Sequence, residues 1–538
     1  MINPEETVRV RQLIETTLTN EATKGQNARL RQTLSEYILS GFKFVNQFMS
    51  LYYYDESTGC WFDHGEELVE RELRDLSPYL TRSHCAEAQT YIKGISTTVG
   101  NRIEFSLPIN EKYLNTKKGV FDIQNRIYLP HAPEYYFTNY LPLDYDETAT
   151  CPEILKFLVD LTFPYPKKFV TLLEQAASLL VGENREHILF LNVGRKFNGK
   201  TTWNNLLRVF VGEGNYSALS LEELASSRFA LPQIVNKLAN FSSEGSGESG
   251  GKPLDMETIK RITGEDKITL DQKFKEPYSY SPKIIPFFSM NKLPRNQPDD
   301  ALAERMLITE FTNTFVSNEE KERLQSDGKI IRVYKHKEPE ILKRIVSPRE
   351  LSGFFNILLP IRQNLMKRGF SNRPSSIEMK RRYALWAQES VSLFRLDCVR
   401  YKKDSIIAYE DLYKLYLEYC SNMELHSADK EWFSRRFNHT DIRGDVPYYD
   451  TDKYVYVYSD YIRDSKRIHN YHNIEIVLPE ISNLGKNLSS INLRQNFYKG
   501  LENANIGHII PLIHEYIESN SLYTGKIITD DYQLTFDV

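Results

Sequence analysis

Cysteine is scarce: five in 538 residues, at positions 60, 85, 151, 398 and 420, odd in number and with no C-x-x-C pair. That argues against a disulfide framework and against a cysteine-held zinc, and it fits a reducing compartment. Long apolar runs are missing too. No stretch reaches the roughly 18 apolar residues of a membrane-spanning helix. The start, Met1-Ile-Asn-Pro-Glu-Glu6, is acidic and polar, unlike a secretion signal. A cytoplasmic protein without a membrane partner is the expectation. Net charge is small: 68 Lys and Arg against 72 Asp and Glu leave −4. Any nucleic-acid contact must then come from local basic patches. The chain is also too long for a single core, so three or four domains are expected.

Against this background one stretch is chemically specific. Ile188-Leu-Phe-Leu-Asn-Val193 is an apolar run of strand length, and Trp203, Leu206, Leu207 and Phe210 mark one face of a helix. Between them lies Gly194-Arg195-Lys196-Phe197-Asn198-Gly199-Lys200-Thr201-Thr202, a G-x-x-x-x-G-K-T pattern in the strand–loop–helix context that a P-loop requires. The two glycines let backbone N–H groups turn inward to phosphate oxygens. The following helix aims its positive end at the same anion. Lys200 is placed for the β/γ-phosphates and the Thr201 hydroxyl for Mg²⁺, so ATP with Mg²⁺ is the expected cofactor pair.

Upstream, residues 1–50 read as helical, 51–64 as an aromatic hairpin turning at Asp55–Gly59, and 65–95 as helix. Prolines at 108, 130, 133 and 142 announce short strands and turns, with a hairpin over 119–129. Two helices follow over 152–182, divided at Pro164 and Pro166.

Downstream, Leu238–Ser243 reads as a strand with Glu244 at its end, where a carboxylate can serve the metal or the attacking water. Gly245-Ser-Gly-Glu-Ser-Gly250 matches the dinucleotide fingerprint in outline. The P-loop already supplies a phosphate cradle, so a Gly/Ser connector is the better reading. Ile268–Tyr280 looks like a hairpin carrying Lys273 and Lys275 on one face near its tip. Ile284–Met290 is a third buried strand ending in Asn291, which could orient water or sense the γ-phosphate. Ala301–Phe311 reads as a further strand led by Arg305.

This order of P-loop, Glu244, lysine hairpin, Asn291 and Arg305 resembles the superfamily 3 helicases, in particular the phage, plasmid and poxvirus primase–helicase branch. Lys260-Arg-Ile-Thr-Gly-Glu-Asp266, Lys273-Phe-Lys-Glu-Pro277 and Met290-Asn-Lys-Leu-Pro294 look like that branch, as do Gly119-Val-Phe-Asp and Cys151-Pro-Glu-Ile-Leu-Lys-Phe-Leu. The resemblance, over roughly 50–460, implies an α/β fold: a P-loop AAA+ core with an α+β N-terminal region and a C-terminal winged-helix-like domain. It implies a hexameric ring on single-stranded or forked DNA. Lys200 and Thr201 would bind phosphate and metal, Glu244 would serve the metal or the water, and Asn291 would act as sensor. Lys273 and Lys275 would grip DNA in the channel, and Arg305 would reach a neighbour's γ-phosphate. Where many members have two adjacent acids, this chain has Ser243-Glu244. Too few residues precede the pre-helicase region for a primase domain, so a primase or polymerase would be a separate partner.

Residues 340–395 are helical and basic at Lys367, Arg368, Arg373, Lys380, Arg381 and Arg382. Over 408–458 the pattern is helix, helix, then strand and wing, with Lys430, Arg435 and Arg436 suited to DNA phosphates or bases. The expected layout is an N-terminal region over 1–150 (an oligomerisation or DNA-entry collar), the ATPase core over 151–335, a helical basic segment over 336–400, a winged-helix-like domain over 401–460, and an unassigned region over 461–538. The function expected is ATP-dependent replicative unwinding for a virus, plasmid or mobile element in the host cytoplasm. An origin-binding initiator or DNA-loading ATPase shares every ATPase residue and is the alternative.

Overall fold

The residues described in this computed structural model are 3–18, 24–47, 50–96, 105, 107–244, 256–271, 277–294, 298–317, 319, 334–336, 338–422, 425–438, 458–463, 466–476 and 490–519. The chain forms two compact units, one of residues 1–144 with 211–215 and one of 145–210 with 216–538.

The first unit holds helices α1 (Pro4–Leu18) and α2 (Lys24–Gly41), then an antiparallel sheet of β1 (Phe44–Gln47), β2 (Ser50–Asp55) and β3 (Cys60–Phe62). Helices α3 (Gly65–Leu76) and α4 (Arg82–Ile95) follow, then a second antiparallel sheet of β4 (Tyr113–Thr116), β5 (Gly119–Asp122) and β6 (Ile127–Leu129). Both expected hairpins are present, closing at Asp55↔Cys60 and Asp122↔Ile127. Trp61 is buried, and its indole N–H donates to Pro133 O at 3.0 Å, which removes the penalty of burying that donor.

The second unit begins with α5 (Pro152–Thr162) and α6 (Pro166–Ser178), divided at Pro164 as the sequence suggests. Then come β7 (Leu189–Val193), α7 (Lys200–Val211), β8 (Tyr216–Ser217), α8 (Leu221–Ser226) and β9 (Ala239–Glu244). Next are α9 (Glu257–Thr263), β10 (Ile268–Leu270), β11 (Tyr278–Tyr280), β12 (Ile285–Met290), α10 (Asp300–Arg305) and β13 (Met306–Glu310). Strands β14 (Thr314–Val316) and β15 (Tyr334–His336) form a small parallel pair. The central sheet has the order β13-β7-β12-β9-β8, with every pair parallel. Parallel strands bury both faces, which is why β7 and β12 read as continuous apolar runs.

Register sorts the side chains of one sheet face into rows. Leu307, Phe190, Phe287 and Phe241 form one row, with ring centroids 4.7 Å apart for Phe190–Phe287 and 4.9 Å for Phe287–Phe241. Such pairs contribute about 0.5–1.5 kcal/mol each beyond area burial. Two residues further along the strands, the same face carries Thr309, Asn192, Ser289 and Ser243. Thr309, Asn192 and Ser289 are buried polar groups, so they need partners, while Ser243 is exposed at the end of the row. Gln175 of α6, fully buried, donates to Asn192 Oδ1 and Thr309 Oγ1 at 3.0 Å each and accepts from Trp203 Nε1 at 3.1 Å.

The sequence reading of 301–311 as one strand needs correction. Residues 300–305 are helix α10, and pairing with β7 begins only at Met306. The reason is local: Asp299 caps the helix, its side chain accepting from Leu302 N at 2.8 Å.

Beyond the sheet come α11 (Ile341–Ile345), α12 (Pro348–Arg368), α13 (Ser376–Ala387), α14 (Ser390–Cys398), β16 (Val399–Ala408), α15 (Tyr409–Asn422) and α16 (Lys430–Asn438). Strands β17 (Tyr458–Arg463) and β18 (Lys466–Ile476) complete an antiparallel sheet of order β16-β18-β17. The two expected helices over 408–438 are there, but the element set is wider than 401–460. It takes α14 and β16 at its start and runs to Ile476, because β18 pairs with both other strands. Val391 and Phe394 of α14 share one core with Leu412, Tyr416, Phe433 and Phe437. The expected wing, up to residue 457, falls outside the described residues.

Helices α17 (Ser490–Asn503) and α18 (Ile510–Ser519) return to α6 and α5. Phe497 packs on Phe163 and Phe169, with centroids at 5.3 and 5.7 Å. The Tyr516 hydroxyl donates to Asp160 Oδ2 at 2.9 Å. Among the described residues no helix is long and apolar enough to cross a membrane, and all five cysteines are buried free thiols.

Candidate nucleotide-binding site

The turn after β7 is built by its glycines. A Cβ on Gly194 would stand 2.5 Å from Phe311 O, so only glycine lets the loop lie against that strand end. Gly199 has φ +82°, and a Cβ there would meet Leu161 at 2.5 Å. Asn198, 4% exposed, ties the loop down by donating from Nδ2 to Phe311 O at 2.6 Å. Arg195, Lys196 and Phe197 stay exposed at the loop's outer side. α7 begins at Lys200 and points its free N–H groups into the turn.

Lys200 is 8% exposed, and its ammonium donates to Gly194 O at 2.6 Å and Arg195 O at 2.8 Å. Both partners are neutral carbonyls. Burial pulls the Lys200 pKa down to about 8. A phosphate would supply the missing negative charge and restore the charged form.

The loop forms one wall of a cleft of about 520 Å³, within the range of small-ligand sites. Its floor is polar: Lys200, Thr201 and Thr202 face Ser243, Ser289 and Asn291 from the carboxyl ends of β9 and β12. Its outer part is apolar, with Phe157, Phe315, Ile341 and Leu342, beside the acids Asp160 and Glu338. A lining that mixes polar and charged groups with aromatic and aliphatic side chains suits a nucleotide's phosphates and base. Ligands of parallel sheets sit in this place, outside the carboxyl ends of the strands. Among the described residues no three His, Cys, Asp or Glu cluster as metal ligands.

Of the residues picked from sequence, the structure brings Lys196, Phe197, Asn198, Gly199, Lys200, Thr201, Thr202 and Asn291 to this one cleft. Gly194 and Arg195 bind the Lys200 ammonium from the loop behind. Glu244 ends β9 in register with Met290, one residue before Asn291, and its side chain lies outside the described residues. Arg305 is elsewhere. It sits at the amino ends of β13 and β7, where Met306 pairs with Leu189, whereas the P-loop follows Val193 at the other end. Five strand residues span about 16 Å. Its guanidinium donates to Ala301 O at 2.8 Å.

Strands β10 and β11 pair as the expected hairpin, Leu270 opposite Tyr278. Lys273 and Lys275 belong to the connection between them, outside the described residues, as does the glycine-rich stretch 245–250. In α16, Arg435 is exposed and pairs with Glu431 on its own helix. Arg436, 19% exposed, pairs with Glu389 at 3.2 Å, a carboxylate 5% exposed. Four cations of the basic run before it also pair with carboxylates, Lys380 with Asp300 at 3.0 Å, Arg381 with Asp397, Arg382 with Glu378 at 2.9 Å and Arg373 with Glu186 at 3.1 Å, while Lys367 and Arg368 are exposed. The sequence reading missed the serines and the apolar end of the cleft. Phe157 and Leu342 carry no mark that separates them from core.

A family model described as D5 N terminal like matches residues 47–163, and one for a family of unknown function, DUF5906, matches 192–305. The chain is similar to viral proteins named as helicases. “Putative helicase L207/L206” of Acanthamoeba polyphaga mimivirus is 26% identical over 224 residues, 40% of this chain and 23% of that protein. “Putative helicase 184R” of Invertebrate iridescent virus 6 is 24% identical over 228 residues, 38% of this chain and 23% of that protein. The chain thus spans about a quarter of each relative. Among solved structures, the apo C-terminal region of NrS-1 (305–718) aligns at TM-score 0.44 and 12% identity, over 82% of this chain and 98% of that one. The similarity is to stretches of viral proteins that carry the name putative helicase.

Proposed function

We propose that the chain is an ATP- and Mg²⁺-dependent DNA helicase of the superfamily 3 type, acting as a ring on single-stranded or forked DNA. The observation that carries this reading is the cleft itself. Lys200 and Thr201 from the loop and Asn291 from a strand remote in sequence face one cavity. Thr201 and Glu244 would hold the metal, which would neutralise charge on the β- and γ-phosphates. Asn291 would orient the attacking water. Further support comes from the strand order, in which the P-loop strand lies between the last and the fourth of five parallel strands, as in AAA+ cores. The element order α14-β16-α15-α16-β17-β18 is that of a winged helix, a module suited to DNA.

Arg305 cannot serve the P-loop of its own chain from the far end of the sheet. On this reading it serves the next subunit's nucleotide, and hydrolysis needs the assembly. Doping wild-type protein with Arg305→Ala subunits should lower ATPase and forked-DNA strand displacement more than in proportion to the fraction added, since a trans arginine supplies about 10³-fold or more. A strictly proportional loss would rule out the trans role. ATP hydrolysis without strand displacement on any forked substrate would rule out the helicase reading.

A further inference from the structure

The polar row beneath the P-loop contains one group without a partner. Thr309 and Asn192 are joined by Gln175, and Ser243 Oγ accepts from Asn204 Nδ2 at 3.3 Å. Ser289 Oγ has no hydrogen-bond partner among the described residues, although Ser289 is only 4% exposed. A buried hydroxyl left unpaired costs about 1–3 kcal/mol, so its retention asks for a missing partner. Ser289 lies directly beside Ser243 in the parallel register, and both line the cleft floor with Lys200 and Thr201. Ser243 stands one residue before Glu244, where a second carboxylate would otherwise sit.

We infer that Ser289 and Ser243 accept hydrogen bonds from water bound to the nucleotide's divalent cation, replacing a carboxylate with two neutral hydroxyls. This rests on the cleft being a nucleotide site. Water on a divalent cation is a strong donor, and serine oxygens offer it lone pairs: both on Ser289, and one on Ser243 beside the Asn204 contact. Without a second negative charge the cation is held less tightly, so nucleotide binding should call for more Mg²⁺ than two acids would need.

The test is titration of the full chain with a fluorescent ATP analogue, first in EDTA and then across Mg²⁺ concentrations. Ser289→Ala should raise the Mg²⁺ needed for half-maximal tightening by on the order of tenfold and leave affinity in EDTA unchanged. Ser243→Asp should lower that Mg²⁺ requirement by a similar factor. An unmoved Mg²⁺ dependence in both variants overturns the inference. So does Ser289→Ala weakening the EDTA affinity as much as the Mg²⁺ affinity, which would mark a structural role. If Ser289→Ala does not fold, the direction of the Ser243→Asp shift decides. If wild-type protein binds no nucleotide, or Lys200→Ala binds as well as wild type, the nucleotide reading fails first and takes this inference with it.

Discussion

Lys200 and Arg381 are both withdrawn from bulk water, yet they are set up in opposite ways. Among the described residues the Lys200 ammonium meets the carbonyl oxygens of Gly194 and Arg195, and burial pulls its pKa down to about 8. Arg381 faces Asp397, with Nη2 to Oδ2 at 3.2 Å, and the Tyr419 hydroxyl donates to the same oxygen at 2.7 Å. Burial works against the Arg381 charge too, but Asp397 more than offsets it and the pKa rises. Among the described residues one cation is buried against carbonyl oxygens and the other is neutralised by a carboxylate. A count of basic residues does not measure the charge left for a ligand. The stretch 373–382 reads as locally basic in the sequence, and its cations pair with carboxylates in the structure. The loop after β7 buries one lysine, Lys200, and on the proposed reading its charge serves the nucleotide's phosphates.

Substitutions at the two sites should separate them. The largest effect is expected for Lys200→Ala, which should cut ATP hydrolysis by about 10²–10³-fold or more while the melting temperature holds. If turnover persists, the cleft is not the nucleotide site. Asp397→Ala should do the reverse. It strands Arg381 and the Tyr419 hydroxyl and should cost about 3 kcal/mol of stability in denaturant unfolding, with nucleotide affinity unchanged. A loss below about 0.5 kcal/mol would mean the pair behaves as a solvated surface bridge.

The pH dependence sharpens the contrast further. Below pH 8 the free Lys200 is already charged, so nucleotide affinity should be flat. Above it, binding must take up a proton, because bound phosphate favours the ammonium. Affinity should then fall by up to about tenfold per pH unit. The same lowered pKa means that the charged form of Lys200 destabilises the free fold, a penalty relieved as pH rises through 8. Fluorescent-nucleotide titrations over the alkaline range should show the break in wild type and none in Lys200→Ala. The smallest effect belongs to Arg435→Ala, whose exposed pair with Glu431 should contribute no more than about 0.5 kcal/mol to stability. If it contacts DNA phosphate, the salt dependence of DNA binding should drop by about one counterion. An unchanged slope would leave α16 without a DNA role.

How much of this was legible beforehand depended on distance along the chain. The P-loop is contiguous, and its glycines, lysine and threonine announce it. The hairpin of β10 and β11 shows in the alternation around Ile268 and Tyr280. Arg305 was visible as a residue but assigned to a strand, because the Asp299 cap that makes α10 is a single side-chain contact. The Arg436–Glu389 pair joins positions 47 residues apart, and nothing in either neighbourhood foretells it. Ser289 looks like one polar residue in a buried strand. It becomes noticeable only when register sets it beside Ser243 and no partner is found for its hydroxyl.

By itself the sequence determined the local chemistry: a phosphate-binding turn, the strands and helices around it, and the absence of membrane-spanning runs and cysteine motifs. Those follow from short-range rules, since backbone conformation and hydrophobic period are set within a few residues. Only the tertiary structure decided which charges remain available, which end of the sheet each functional residue occupies, and which polar groups share a row. Those depend on parallel register and on burial, which bring together residues from strands separated by tens to more than a hundred positions. A lysine's charge becomes usable, and a serine's hydroxyl becomes conspicuous, only when the groups packed around them are known.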